Sequence, residues 1–177
     1  MIRKSIKNTI KEHFLTYPTA KLRVRGIERT LKLALPSIIR YCKELRTEGI
    51  LAITKIGNVV FLTADRTNPN YLLEKRLFNI KQLYLSGLIK HLREALSNPP
   101  VIVFGSYARG EDIEDSDIDL YIETPSKKSI NLESFEKFLH RRIQVFRHEG
   151  IHSVKNPHLA NNIMNGITLN SSVEVFR

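Results

Sequence analysis

The sequence has one cysteine and no tryptophan among its 177 residues, and it lacks any long uninterrupted apolar segment. The single cysteine, Cys42, excludes an internal disulfide framework and indicates a reducing compartment. No apolar run approaches the ~20 residues that a membrane-spanning helix needs. The N-terminal residues are basic but lack the apolar core and cleavage site of a signal peptide. We therefore expect a cytoplasmic protein that does not enter a membrane.

Acidic residues are scarce in the first third of the chain. Residues 1–66 contain 14 Lys and Arg against 5 Asp and Glu, a net charge of +9, whereas residues 67–177 contain 14 against 13, a net charge of +1. This asymmetry predicts two modules, residues 1–66 and residues 67–177, and a polyanion as the partner of the first. A solvated basic face that aids solubility explains the same charge equally well.

The hydrophobic pattern of residues 1–66 predicts three helices followed by a hairpin. Apolar residues recur every four positions from Ile2 to Phe14, as on one face of a helix, and "IERTLKLAL" predicts a second helix. A third helix is expected between Pro36 and Gly49. The β-rich runs "LAITKI" and "NVVFLT" are joined by "GN", a hairpin signal. This order of elements resembles the winged helix-turn-helix domains of prokaryotic regulators.

The third helix carries the residues that this resemblance implicates in DNA binding. Ile38, Cys42 and Leu45 share one face and are expected in the core. In winged-helix domains the third helix enters the major groove and the hairpin reaches the phosphates. The expected DNA-binding residues are Ser37, Arg40, Tyr41, Lys43 and Lys55. Small helical modules of this shape also serve as protein-interaction domains, so that alternative stays open.

Residues 67–177 predict an α/β (α+β) fold, with a small mixed β-sheet flanked by helices. The pattern predicts one long helix over about residues 70–97, with a buried apolar stripe at positions 73, 77, 80, 84, 88 and 92 and Gly87 as a tolerated interruption. Strands are predicted at "VIVF", "SDIDLYIE", "RRIQVF" and "SSVEVF", and a further helix at "NPHLANNIMNGITL".

The segment "FGSYARGEDIEDSDIDLYIE" places a glycine-serine pair ahead of six carboxylates within nine residues. Gly105 lets the backbone approach a ligand closely, and Ser106 offers a hydroxyl at a helix start, where anions are favoured. In a strand, Asp117 and Asp119 point to the same face. Two neighbouring carboxylates repel each other unless a cation such as Mg²⁺ lies between them. We expect three of the other acids, Glu111, Asp112 and Glu114, to lie in a surface loop.

The spacing G-S-x10-D-x-D, from Gly105 to Asp119, resembles the signature of the DNA polymerase β nucleotidyltransferase superfamily, and most closely that of its minimal nucleotidyltransferases. The resemblance implies that Asp117 and Asp119 bind Mg²⁺ and that Gly105, Ser106 and Arg109 contact the triphosphate of a nucleotide, ATP being the expected one. An ion pair with the acidic loop is the alternative role of Arg109. The implied reaction transfers a nucleoside monophosphate, expected to be AMP, to a hydroxyl of a protein or nucleic acid.

One position departs from the family pattern. Active members carry a third carboxylate on a neighbouring strand, and the alternation of "RRIQVF" places Gln144 there. Glu174 is a candidate substitute, and Arg141 and Arg142 are expected beside the site. The alternative function is a DNA-binding regulator with a nucleotide-binding or inactive second module. The resemblance also implies a HEPN-type toxin as partner, and we expect a homodimer.

Overall fold

The computed structural model describes residues 5–174 and divides the chain into two compact units, residues 1–78 and 79–177. The helices are α1 Ile6–Thr16, α2 Val24–Leu31, α3 Leu35–Thr47, α4 Pro69–Leu85, α5 Leu88–Ala95, α6 Gly105–Arg109, α7 Glu133–Leu139 and α8 Pro157–Met164. The strands are β1 Leu51–Ile56, β2 Val59–Ala64, β3 Val101–Phe104, β4 Ile118–Glu123, β5 Ile143–His148 and β6 Ile167–Asn170. Within residues 5–174, no helix has both the length and the apolar composition of a membrane span.

The first unit contains three helices followed by an antiparallel hairpin, in the order that the sequence predicts. Strands β1 and β2 pair from Leu51 with Ala64 to Ile56 with Val59, and a single bridge joins Leu22 to Leu62. Ile2, at the start of the predicted first helix, lies outside the described residues. A winged-helix identity for this unit stays a prediction, because the order of elements alone does not establish it.

The core of the first unit is built on α3. Ile38, Cys42 and Leu45 are all buried, as their helical spacing predicts, and they pack with residues of α1 and the hairpin. Burial raises the pKa of the Cys42 thiol to about 11, so this cysteine stays protonated and unreactive at neutral pH. Cys42 is therefore a core residue.

The predicted long helix over residues 70–97 is interrupted. Gly87 adopts a left-handed conformation with φ +80°, which ends α4 at Leu85 and lets the chain restart as α5. The Ser86 hydroxyl stabilises the restart by accepting the Leu88 N–H at 3.2 Å. Sequence reasoning treated Gly87 as a residue inside one helix, whereas it lies between two.

The predicted buried stripe is also only partly correct. Leu88 and Leu92 on α5 are fully buried, but Leu73, Leu77 and Tyr84 on α4 are more than half exposed, at 54%, 55% and 51%. Helix α4 instead buries a face offset by two positions, which contains Tyr71, Lys75, Asn79 and Leu83. Because two of these four residues are polar, apolar spacing alone selects the wrong face.

The second unit is a four-stranded mixed sheet with helices on both faces. The strand order is β5-β4-β3-β6, with β3 antiparallel to both neighbours and β4 parallel to β5. Residues of α5 and α7 pack on the face that carries Val103 and Leu120. Ile163 of α8 packs on the opposite face, against Phe104 and Tyr121. This architecture is the mixed α/β fold with a small sheet that the sequence predicts.

The last strand lies earlier than predicted. Strand β6 covers Ile167–Asn170 and pairs with β3. The strand was predicted at "SSVEVF", residues 171–176, but residues 171–174 form no regular element. Residues 175 and 176 lie outside the described residues. The predicted helix "NPHLANNIMNGITL" ends at Met164. Ile163 and Ile167 are four positions apart, a helical spacing, so the pattern hid the change from helix to strand.

Candidate active site

The turn from β3 into α6 brings Gly105 against Asp119. Phe104, the last residue of β3, pairs with Asp119 of β4, so the two side chains share one face of the sheet. Gly105 then takes φ +74°, and a Cβ atom at this position would lie 2.5 Å from Asp119 Oδ2. Only glycine therefore fits both the left-handed backbone and the space beside this carboxylate.

The two predicted metal ligands lie at the start of β4. The strand begins at Ile118, so Asp117 immediately precedes it and is exposed, whereas Asp119 lies within it and is half-buried. Burial, and secondly the charge of Asp117, raise the pKa of the Asp119 carboxyl above its usual value. The charge of Asp117 therefore disfavours ionisation of Asp119, and a bound cation would relieve this repulsion.

The parallel register of β4 and β5 places Gln144 directly beside Asp119. Paired residues of neighbouring strands point to the same face, so Gln144 occupies the position that the sequence assigned to it. Its side chain is exposed. Among residues 5–174 there is no group of three or more His, Cys, Asp or Glu side chains arranged to hold a metal ion. Glu174 follows β6 without regular structure and joins no such group.

Ser106 and Arg109 both lie on the short helix α6. Across the described part of the chain, the Ser106 hydroxyl makes no hydrogen bond to another residue, which leaves it available to a ligand. Arg109 Nε donates to Glu111 Oε2 at 2.7 Å, and both side chains are about half exposed, at 52% and 50%. This ion pair is the alternative role that the sequence analysis left open for Arg109. Its contact with a nucleotide stays a prediction.

Asp112 does not lie in a surface loop, contrary to the sequence analysis. It is buried, its Oδ1 accepts a hydrogen bond from Asn79 Nδ2 at 2.7 Å, and its Oδ2 lies 3.6 Å from Arg141 Nη2. Asn79 Nδ2 also donates to the Tyr107 carbonyl at 2.9 Å. These bonds tie α4, α6 and the start of β5 to the loop that leads to Asp117. Asp112 and Arg141 are 29 positions apart, so no local pattern reveals their pairing.

A cavity of about 690 Å³ opens beside Asp117. Its walls include Ser116 and Glu133, together with His140 and Arg142. Arg142 is exposed there, as expected for a residue beside the site, whereas Arg141 is held by Asp112. The cavity offers space next to Asp117, but Asp119 does not line it.

Residues 85–165 match the family model described as a nucleotidyltransferase domain. Residues 85–165 are therefore similar to a nucleotidyltransferase domain. The matched range includes Gly105, Ser106, Asp117, Asp119 and Gln144. No curated protein and no solved structure matches the chain.

The second unit has a donor set that fits a divalent cation. Nucleotidyltransferase domains generally use such a metal, and Asp117 and Asp119 would supply two oxygen ligands. The absence of a side chain at Gly105 lets the Asp119 carboxylate lie against the backbone at the start of α6. The site therefore combines negative charge with a close approach of the backbone.

The predicted DNA-binding residues lie on two elements of the first unit. Ser37, Arg40, Tyr41 and Lys43 lie on α3, and Lys55 is exposed on β1. Arg40 stacks on the Tyr41 ring at 4.8 Å, and its Nε donates to Glu44 Oε1 at 3.1 Å. Glu44 also lies 3.3 Å from Lys7 Nζ. The charge of Arg40 is therefore already compensated within the protein.

Proposed function

We propose that the nucleotidyltransferase domain transfers a nucleoside monophosphate, expected to be AMP, from a nucleoside triphosphate to a hydroxyl group of a protein or nucleic acid. The observation that carries this proposal is the placement of Asp119 against Gly105 at the turn into α6, with Asp117 two positions before it. A matching family model over residues 85–165 supports the reaction class. A HEPN-type toxin is the protein acceptor that we expect.

In this proposal, each residue contributes binding or orientation. Asp117 and Asp119 hold a divalent cation, expected to be Mg²⁺, which when bound neutralises charge on the triphosphate. Ser106 donates its hydroxyl to a phosphate oxygen, and Gly105 allows the nucleotide to approach the backbone. Arg109 reaches the phosphates if it exchanges Glu111 for the substrate, since both side chains are half exposed. The acceptor enters through the cavity beside Asp117.

The transfer itself exchanges one bond to phosphorus for another. The acceptor oxygen bonds to the α-phosphorus while the bond to the bridging oxygen breaks, and pyrophosphate leaves. An amide cannot accept the acceptor's proton, so Gln144 is not a general base. The proton passes instead to a phosphate oxygen of the substrate or to water. The chemistry then relies on positioning, which predicts a slow enzyme.

The first test is calorimetric titration of the full chain with ATP and the other triphosphates, with and without Mg²⁺. We expect Mg²⁺-dependent binding that weakens by about tenfold or more in Asp117→Asn/Asp119→Asn, because both metal ligands are lost. The binding should also weaken as the pH falls through the raised pKa of Asp119, because a protonated carboxyl does not bind a cation.

The matched control for this titration is Glu94→Gln/Glu149→Gln. It changes the net charge by the same amount at two exposed carboxylates outside the site. Binding that survives in the aspartate variant, or that falls equally in both variants, would refute the assignment of Asp117 and Asp119.

The second candidate function is a DNA-binding regulator whose nucleotidyltransferase domain binds nucleotide without transferring it. The observation that favours it is the amide of Gln144 at the position beside Asp119. The net charge of +9 on residues 1–66 agrees with a polyanionic partner. In this reading the first unit acts as a winged helix, with α3 in the major groove and Lys55 at the phosphates.

For this candidate we expect the binding of duplex DNA to depend on salt. The affinity should fall by roughly threefold in Arg40→Ala, because this change removes one partly compensated phosphate contact. Fluorescence anisotropy with a labelled duplex over a range of salt concentrations measures the affinity and its salt dependence. Arg46→Ala, which removes an exposed charge from the last turn of the same helix, is the control. Binding that responds neither to salt nor to Arg40→Ala would argue against α3 as the DNA-reading element.

A further inference from the structure

A cavity of about 640 Å³ in the first unit is lined by four basic side chains and by no acidic one. Lys21 and Arg23 precede α2, and Arg25 and Arg29 lie on it. The ring of Phe61, from strand β2, forms the apolar part of the wall. None of these residues belongs to the set that the sequence associates with DNA binding.

Two of these cations are held in place by neighbouring groups. The Arg23 guanidinium lies over the Phe61 ring at 5.7 Å from its centroid, and Arg29 Nε donates to the Arg25 carbonyl at 3.3 Å. Such contacts orient a guanidinium without neutralising it, because neither the ring nor the carbonyl carries a full charge. The positive charge therefore remains directed at the cavity.

The charge of this cavity is not compensated by the surrounding protein. Over residues 5–174, no carboxylate lies within ion-pair distance of any of the four cations. Glu28, the acidic residue of α2, does not line the cavity. By contrast, Arg40 on α3 is paired with Glu44, and Lys7 on α1 with Glu44 and Glu48. Four uncompensated cations of this unit thus line one cavity beside α2.

We propose that this cavity binds phosphate groups of a nucleic-acid backbone and that it, more than the exposed face of α3, supplies the electrostatic part of nucleic-acid binding. The proposal deepens the second candidate function and is independent of nucleotide transfer. Four cations converging on one recess, with no carboxylate to pair with, fit successive phosphates along a strand better than a single small anion. The exposed part of the Phe61 ring offers a surface for a sugar or base.

The test compares two double variants of the full chain that carry the same net charge. Arg25→Gln/Arg29→Gln removes two cavity cations, and Arg46→Gln/Arg76→Gln removes two exposed cations of α3 and α4 that do not line the cavity. The probe is a labelled 20-bp DNA duplex at several salt concentrations. We expect the first variant to bind about tenfold more weakly or worse, with a salt slope smaller by about 2, and the second to change by less than about threefold.

Two further variants keep the outcome interpretable. Arg25→Lys/Arg29→Lys retains the charge and should restore most of the affinity, which a folding defect would not allow. Asp117→Asn/Asp119→Asn should bind DNA like the wild type. This variant therefore distinguishes failure of the nucleotide-transfer proposal from failure of the DNA-binding proposal. Equal losses in the two charge-matched variants, or no DNA binding by the wild type, would overturn the proposal. Cavity-dependent binding of pyrophosphate without binding of DNA would also overturn it, in favour of a small phosphorylated ligand.

Discussion

Replacing Gly105 with alanine is expected to destabilise the second unit by about 3 kcal/mol, from a left-handed backbone and an overpacked contact together. The added Cβ would lie 2.5 Å from Asp119 Oδ2, and φ is +74°. Displacement of Asp119 should also weaken Mg²⁺-dependent nucleotide binding on the order of 100-fold, since the change reaches a metal ligand. Urea denaturation and calorimetric titration measure the two effects.

Gly87→Ala separates the two causes of this loss. Gly87 has nearly the same conformation, φ +80°, but no atom lies within 4 Å of the position that its Cβ would take. Gly87→Ala should lower the free energy of unfolding by only about 1–2 kcal/mol, the cost of a left-handed backbone at a residue with a Cβ atom. In Gly105→Ala/Asp119→Ala the shortened side chain should relieve the contact, so the two changes should be non-additive. Additive effects, or equal costs at Gly87 and Gly105, would show that the contact with Asp119 is unimportant.

The second large effect is expected at the buried ion pair of Asp112 and Arg141. Asp112→Ala should lower the free energy of unfolding by about 3–5 kcal/mol, because it leaves the guanidinium without its buried carboxylate partner. The side chains are only 0% and 4% exposed, and Asn79 loses its hydrogen bond to Asp112 as well. Thermal and urea denaturation of the full chain measure the loss.

The neighbouring residue provides the control for this prediction. Glu111→Ala breaks the exposed pair with Arg109 and should cost less than about 1 kcal/mol. Asp112→Leu/Arg141→Met removes both charges and should recover part of the stability that Asp112→Ala loses, since no charge is left buried alone. A cost at Asp112 no larger than that at Glu111 would mean that the ion pair does not hold this loop.

Local patterns predicted the parts of the site that lie close together in sequence. The family resemblance implies a strand next to the two aspartates, and the alternation of β5, a local rule, then selects Gln144 as the residue beside Asp119. Asp112 was misassigned because burial of a charge depends on Arg141, a distant residue. The same limit explains why Leu73 and Leu77 are exposed although their spacing predicts burial. The buried face of α4 depends on what packs against it.

The contact between Gly105 and Asp119 imposes an order on how this site can change during evolution. As long as position 119 carries an aspartate, position 105 accepts no side chain without a clash. Once position 119 is shortened, the clash is gone and only the backbone conformation still favours glycine at 105. Loss of the acid would therefore widen the choice of residues at position 105, whereas loss of the glycine first would force the Asp119 carboxylate to move.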